Sequence, residues 1–270
     1  MSATLDVTDV PDYRSMWMLP GRVFIVLGAA EGIGRQAAHA LAQAGAHVVC
    51  VGRRADATDA VAAEVGGSAV VADATVRADV ERIASETMEK HGRIDGLVDI
   101  IGMPLVKPLV DCTDDDIDGQ FNVNLRHVFL SLQVIAPMIG RSGGGSLVYV
   151  SSLSGKVVST KRAAYSAAKA GLDQLIAAAC MEFGPLGVRV NAVAPGLVKT
   201  PRVIQNMRPE SLKEAEALYP LGEIGTPSQI ASVILFLAGA LSAHVNGQTV
   251  YADGGISMLS PFSAGLTKRS

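Results

Sequence analysis

The chain has 270 residues, 49% of them hydrophobic and 18% charged, with a formal net charge of -3. It can therefore bury a sizeable core, and its charge gives no reason to expect a nucleic acid or an acidic membrane surface as partner. Three scattered cysteines (Cys50, Cys112 and Cys180), odd in number and not at metal-ligand spacing, suit reduced thiols in a cytoplasmic protein and predict no metal centre.

Residues 1–18 show no clear hydrophobic period and read as an N-terminal arm. The first twenty residues are acidic and interrupted by Pro11 and Pro20, which is not a signal-peptide pattern. Val23 to Leu27 is then a continuous apolar run, the pattern of a strand buried on both faces. It leads into Gly28-Ala29-Ala30-Glu31-Gly32-Ile33-Gly34, an alanine-rich helix to about Ala44, a stop at Gly45 and a second strand at 47–51. Strand, glycine turn, helix and strand make half of a βαβ nucleotide-binding unit. Such glycines let the backbone turn tightly and approach a pyrophosphate resting on the helix N-terminus. Taken alone they are equally a tight turn.

The alternation continues with a strand at 69–72 and a helix at 76–90 carrying Val80, Ile83, Ala84, Thr87 and Met88 on one stripe. A strand at 97–101 follows, then a long helix within 114–140, a strand at 147–150 and a helix over 163–183. A strand at 188–193, an irregular or helical stretch over 201–222, a helix at 227–240 and a strand at 248–251 complete the order. About seven strands alternating with helices predict an α/β protein with a single doubly wound parallel sheet, helices on both faces. One domain is expected over 19–256, with a tail at 257–270. The apolar run from Val233 to Leu241 is too short to span a bilayer.

In the 163–183 helix, Lys169 stands one turn beyond Tyr165 on the same face. A free phenol titrates near pH ~10, and an ammonium that close favours the phenolate. Ser152, at the end of the preceding strand, is placed to set its hydroxyl beside the phenol. Tyrosine would then transfer a proton, lysine tune it and serine hold a substrate oxygen. In isolation the pair reads as a half-buried helix tyrosine and a solvated lysine; the other motifs carry the catalytic reading.

Those motifs are Gly28-x3-Gly32-x-Gly34, Asp73 after the third strand, Asn124 in Asn122-Val123-Asn124-Leu125, Ser152 thirteen residues before Tyr165, and Tyr165-x3-Lys169. Asn191-Ala192-Val193-Ala194-Pro195-Gly196-Leu197-Val198-Lys199-Thr200 and Asn246-Gly247-Gln248 leading to Asp253-Gly254-Gly255 follow. In this order, over roughly 19–256, the chain resembles a classical short-chain dehydrogenase/reductase of Rossmann type. The resemblance implies that Tyr165 is the general acid/base and that Lys169 tunes it and holds the nicotinamide ribose. It implies further that Ser152 binds the substrate oxygen and Asn124 orders a water linking the lysine to solvent. Gly28, Gly32, Ile33, Gly34, Arg53, Asp73, Pro195, Gly196, Val198 and Thr200 would join Tyr165 and Lys169 in holding an NAD(P) cofactor. Local alternatives stand beside these roles: Ser152 as a loop cap, Asn124 as a locally bonded helix asparagine, Asp73 as a helix cap, Thr200 as an ordinary loop hydroxyl.

Two departures from the family pattern are visible. Leu27 stands where the family has threonine, and Asp99-Ile100-Ile101-Gly102 where it has Asn-Asn-Ala-Gly. A polar brace is expected to have been replaced by packing there. At the end of the second strand Gly52 takes the place of an acid that would bond a ribose 2′-hydroxyl, and Arg53-Arg54 follow. Guanidinium pairs well with phosphate, which favours NADP; Glu31 argues the other way.

The resemblance implies a pocket formed by Met103, Pro104, Leu105, Leu153, Leu197, Met207 and Tyr219, equally readable as plain core. A hydrophobic ketone or secondary alcohol is the expected substrate. A 3-oxoacyl-carrier-protein reductase is the alternative, with Arg126, Arg141 and Arg162 as scattered candidates for a carrier patch; a dinucleotide-binding scaffold without turnover is a third. A homotetramer is what the resemblance implies for assembly.

Overall fold

A computed structural model describes residues 8–260. The expected arm and tail therefore lie partly outside the described residues. Within them, residues 8–19 contain one helical turn at Ser15–Trp17, and the Leu19 amide donates to Ala44 O at 2.7 Å.

The described residues form one seven-stranded sheet, every pairing parallel, in the order β3-β2-β1-β4-β5-β6-β7. The strands are β1 (Val23–Leu27), β2 (His47–Gly52), β3 (Ser68–Val71), β4 (Gly96–Asp99), β5 (Gly145–Val150), β6 (Val188–Pro195) and β7 (Thr249–Ala252). All five residues of β1 are buried, because helices cover both faces of a parallel sheet. Ile25, Leu27, Leu97, Leu147 and Tyr149 point into one layer; Phe24, Val26, Val98, Val148 and Val150 point into the other.

The first layer packs α3 (Arg77–His91), α5 (His127–Val134), α6 (Ala136–Arg141) and α7 (Ala163–Phe183). The second packs α1 (Gly32–Gln43), α2 (Ala55–Glu64) and α10 (Pro227–Ala238). Thr226 caps α10 in a reciprocal box with Gln229, and Pro227 follows where its missing N–H costs nothing. Between β1 and β4 the strand order reverses, and their C-terminal ends leave a crevice there.

Two elements differ from expectation. Helix α2 was not foreseen: its sequence is alanine-rich, and Thr58, Val61 and Ala62 alone are buried, too few for a clear apolar stripe. The single long helix expected over 114–140 is instead α4 (Asp114–Phe121), a π turn at Asn122–Arg126, α5 and α6. Pro137 opens α6 and cannot continue the ladder from α5. By length and composition Asp114–Arg141 is apolar enough to cross a bilayer, but half of that apolar window is buried inside the protein, as in a core helix. The 201–222 stretch resolves into α8 (Pro201–Asn206) and α9 (Pro209–Glu216).

Candidate active site

The crevice begins at the turn from β1 to α1. Gly28 and Gly32 hold φ of +83° and +55°, values that side chains resist. Gly34 is required for another reason: a Cβ there would sit 2.0 Å from Gly28 O. The chain before α1 is extended at Glu31, and no side chain caps the helix. The amides of Gly32, Ile33 and Gly34 thus open onto the crevice, a donor set suited to a pyrophosphate. These residues fit the dinucleotide implied by the sequence.

From the far side β6 delivers Pro195, Gly196 and Leu197. The Leu197 amide donates to the Tyr219 hydroxyl at 2.7 Å, and a Cβ on Gly196 would come within 2.7 Å of that oxygen. Tyr219 is therefore a buried pin for this loop, in keeping with the core reading left open for it. Val198 is buried and bridges to Gly225. Thr200 Oγ1 accepts from Val203 N at 3.3 Å, capping α8, while its methyl lies over Gly32. The Thr200 hydroxyl is thus engaged locally, as a helix cap.

At the other end of the crevice, a Cβ on Gly52 would meet Thr58 Oγ1 at 2.5 Å, so no acid fits there without moving a buried side chain. Arg54 pairs with Glu31 at 2.7 Å, and Arg53, whose side chain is 73% exposed, stands 3.7 Å from Asp73. Asp73 Oδ1 accepts from Thr75 N and Thr75 Oγ1, which leaves its other oxygen to face Arg53. Asp73 thus closes the turn ahead of α3 without capping it, since the helix starts after Val76 with no side-chain cap.

Four residues expected to be catalytic converge where β4 and β5 end. Tyr165 is buried, and burial pushes its phenol above the usual tyrosine value. The neighbouring Ser152 hydroxyl and the Arg162 charge pull it back in part. Lys169 Nζ lies 6.0 Å from the tyrosine ring centroid and donates to Val150 O at 2.8 Å. One ammonium proton is thus directed at a strand carbonyl behind the phenol, while the Ser152 hydroxyl and the Arg162 charge favour ionisation of the phenol from the open side. Burial draws Lys169 itself down to about 8, with Asp99 and Asp173 opposing. Ser152 Oγ also accepts from Ser154 N, so it serves the loop and the phenol together.

Asn124 is fully buried in the π turn. Its Oδ1 accepts from Met103 N at 2.9 Å, and its Nδ2 donates to Gln120 O at 2.9 Å and Met103 O at 3.1 Å. A Cβ on Gly102 would lie 3.0 Å from Lys169 Nζ and 3.2 Å from Asn124 Oδ1, so lysine and asparagine flank one glycine. The extra residue of the π turn aims Asn124 inward at this point.

Of the expected pocket residues, Met103 is exposed while Leu105, Leu153, Leu197 and Met207 are half-buried. Gln120 was not foreseen; its Oε1 accepts from Leu105 N at 3.0 Å and steadies the loop that Asn124 also holds. Arg162 was considered as a carrier-patch candidate or a solvated charge, and in the structure its charge also reaches the phenol. Position three before the tyrosine was the available signal. A cavity of about 740 Å³ lies at the N-terminal edge of the sheet, remote from these groups, among Arg22, Asp95, Gly145, Arg189 and His244. Its charges are already engaged: Arg22 and Arg93 bond Asp95, and Arg189 donates to the carbonyls of Leu237 and Gly239.

The family model described as Enoyl-(Acyl carrier protein) reductase matches residues 28–257. A 3-oxoacyl-(acyl-carrier-protein) reductase from Thermotoga maritima is 35% identical over 244 residues, covering 88% of this chain and 98% of that protein. Among solved structures, levodione reductase superposes with a TM-score of 0.86 at 30% identity, covering 90% of this chain and 100% of that one. A 7α-hydroxysteroid dehydrogenase, complexed with NADH and 7-oxo glycochenodeoxycholic acid, gives 0.86 at 29% identity, covering 91% and 98%.

Proposed function

The chain belongs to the short-chain dehydrogenase/reductase family, and from that premise we propose that it interconverts a hydrophobic ketone and its secondary alcohol. The observation that carries the proposal is the buried Tyr165 phenol, with Ser152 beside it and Lys169 behind, at the C-terminal edge of the sheet. When bound, the nicotinamide dinucleotide supplies or accepts the hydride. Every other task falls to the chain. Ser152 donates to the substrate oxygen and fixes the carbonyl near the phenol. In reduction Tyr165 gives its proton to that oxygen as the carbonyl carbon gains hydride; in oxidation it takes the proton back. Lys169 holds positive charge under the phenol and, with the cofactor in place, grips the ribose. Asn124 keeps the 103–105 loop closed over the lysine, and the waters it orders return protons from solvent. Leu105, Leu153, Leu197 and Met207 give the cleft its apolar character.

NADP is the preferred cofactor in this reading. Gly52 excludes an acid beside the ribose, Arg54 neutralises Glu31, and exposed Arg53 is held only loosely by Asp73. Such exposed pairs are worth under ~1 kcal/mol, little to surrender for a phosphate. A homotetramer completes the proposal, supported by the exposed Phe121 and Phe129 on one outer face and Met181 on another.

A second reading, reduction of a 3-oxoacyl thioester on an acyl carrier protein, draws on the Thermotoga relative. It also draws on Lys156, Lys161 and Arg162, which border the cleft and make no ion pair among the described residues. The test is a panel of free ketones, carbinols and 3-oxoacyl thioesters, carrier-bound and carrier-free, followed by nicotinamide absorbance with each cofactor. Turnover of free ketones with higher kcat/KM for NADPH supports the first reading. Turnover confined to carrier-bound thioesters replaces it with the second, and a strong preference for NADH overturns the arginine argument.

A further inference from the structure

Behind the catalytic lysine the sheet carries two ionisable side chains that the mechanism above does not use. Asp99 ends β4 and His127 opens α5, and the side chain of each is 1% exposed. Asp99 Oδ1 accepts from Ile101 N at 3.0 Å, which turns the chain toward Gly102 and the lysine. Its Oδ2 stands 3.2 Å from His127 Nε2, yet the pair is misaligned and this oxygen makes no hydrogen bond. His127 Nδ1 is likewise buried without a partner. A buried carboxylate with one oxygen unpartnered is expensive, so a nearby cation must answer it.

Lys169 is that cation. It is 2% exposed, and it donates a hydrogen bond to Val150 O, next along β5 from Tyr149, which pairs with Asp99 in the sheet. We propose that Asp99 is the buried counter-charge that keeps the Lys169 ammonium charged, and that His127 is a positioning residue for this carboxylate. The proposal rests on the reading of Lys169 as the partner of the catalytic phenol, and it explains how an ammonium survives there.

The groups facing the lysine can be followed element by element. On α7 itself stand Tyr165 and Asp173; the latter is raised by its own burial and bonded to Thr249 at 3.1 Å. From β4 comes Asp99, the stronger of the two acids that oppose the lysine's loss of charge. From β5 comes Tyr149, whose hydroxyl shares a 2.9 Å hydrogen bond with Ser131 and stays protonated through burial. From the π turn comes the neutral Asn124, and from α5 His127, which reaches the lysine only through Asp99. Among the charges acting on Tyr165, Asp99 does not figure; Arg162 does. The carboxylate therefore acts on the lysine and not directly on the phenol.

The direct test is an NMR titration of the lysine side chains in the cofactor-free full chain, with Lys169 assigned by its loss in Lys169→Arg. In wild type Lys169 should titrate near about 8, apart from the surface lysines. Removing an anion beside an ammonium disfavours the charged form, so Asp99→Asn should lower that midpoint by about one unit or more. Asp173→Asn should lower it less, and His127→Gln, which leaves the Asp99 carboxylate in place, should leave it within a few tenths. An unmoved midpoint in Asp99→Asn, or a larger drop in Asp173→Asn, overturns the proposal. Should Asp99→Asn fail to fold, Asp99→Ser gives the same readout. In the active enzyme the alkaline limb of ketone reduction should move down with the lysine in Asp99→Asn. Absence of turnover in wild type would sink the functional reading alone, since the titration needs no substrate.

Discussion

Tyr165 sits among opposed influences whose balance can be shifted one at a time. Burial holds the phenol protonated, while Ser152 and Arg162 favour its ionisation. A protonated phenol at neutral pH is suited to donating, so ketone reduction should need no alkaline activation. Oxidation of the carbinol needs the phenolate and should rise with pH. Replacing Arg162 by Gln removes a favourable positive charge and raises the phenol further. The acidic limb of carbinol oxidation in Arg162→Gln should therefore move to higher pH, with reduction at neutral pH much less affected. A limb that stays in place would show that the guanidinium does not act on the reacting group.

Helix and strand packing set where these side chains stand, and Leu27 and the π turn show how. Leu27 is fully buried at the end of β1, and its carbonyl accepts from the Ile100 amide at 3.0 Å. Ile100 and Ile101 pack over the Gly28 turn. Putting threonine at Leu27 removes apolar contact and brings a hydroxyl into that packing, so Leu27→Thr should lose about 2–4 kcal/mol in denaturant unfolding. A neutral or stabilising result would mean that packing has not replaced a polar brace. Strand β1 was readable from sequence because an unbroken apolar run has few alternatives as a strand core. The π turn was not, since nothing in Asn122–Arg126 marks an extra residue per turn. Helix α2 escaped because alanines give so little contrast between faces. The sequence left Tyr219 between pocket and core because its partner is the Leu197 amide, and a backbone group leaves no trace in composition. The Asp99–His127 pair was invisible as a pair, its members lying 28 positions apart on different elements.

The sheet as a whole separates chemistry from support. Its C-terminal edge holds the glycine turn and the phenol; its N-terminal edge is tied by Asp95, which binds Arg22, Arg93 and the Val23 amide. Burial alone would raise this carboxyl, but these donors bring it below the usual aspartate value. A depressed folded-state pKa adds stability that is present above the unfolded value of ~3.9 and fades as pH falls through the folded one. Asp95→Asn should therefore melt lower at neutral pH and lose less additional stability below about pH 4 than wild type. An unchanged acid slope would place the acid-sensitive contact elsewhere. The order of strands and the glycine turn were legible because both follow from backbone requirements common to βαβ units. The charge balance around Lys169 depends on side chains that only the folded sheet brings together.

The claim on which the rest stands is that Tyr165 moves the proton that accompanies hydride transfer. It is tested most directly by comparing wild type with Tyr165→Phe on the best ketone of the panel, with cofactor affinity measured in parallel by fluorescence titration. The account predicts that the variant binds cofactor within a few-fold of wild type while kcat falls by about 10²–10⁴. Undiminished turnover in Tyr165→Phe across the active substrates would contradict it.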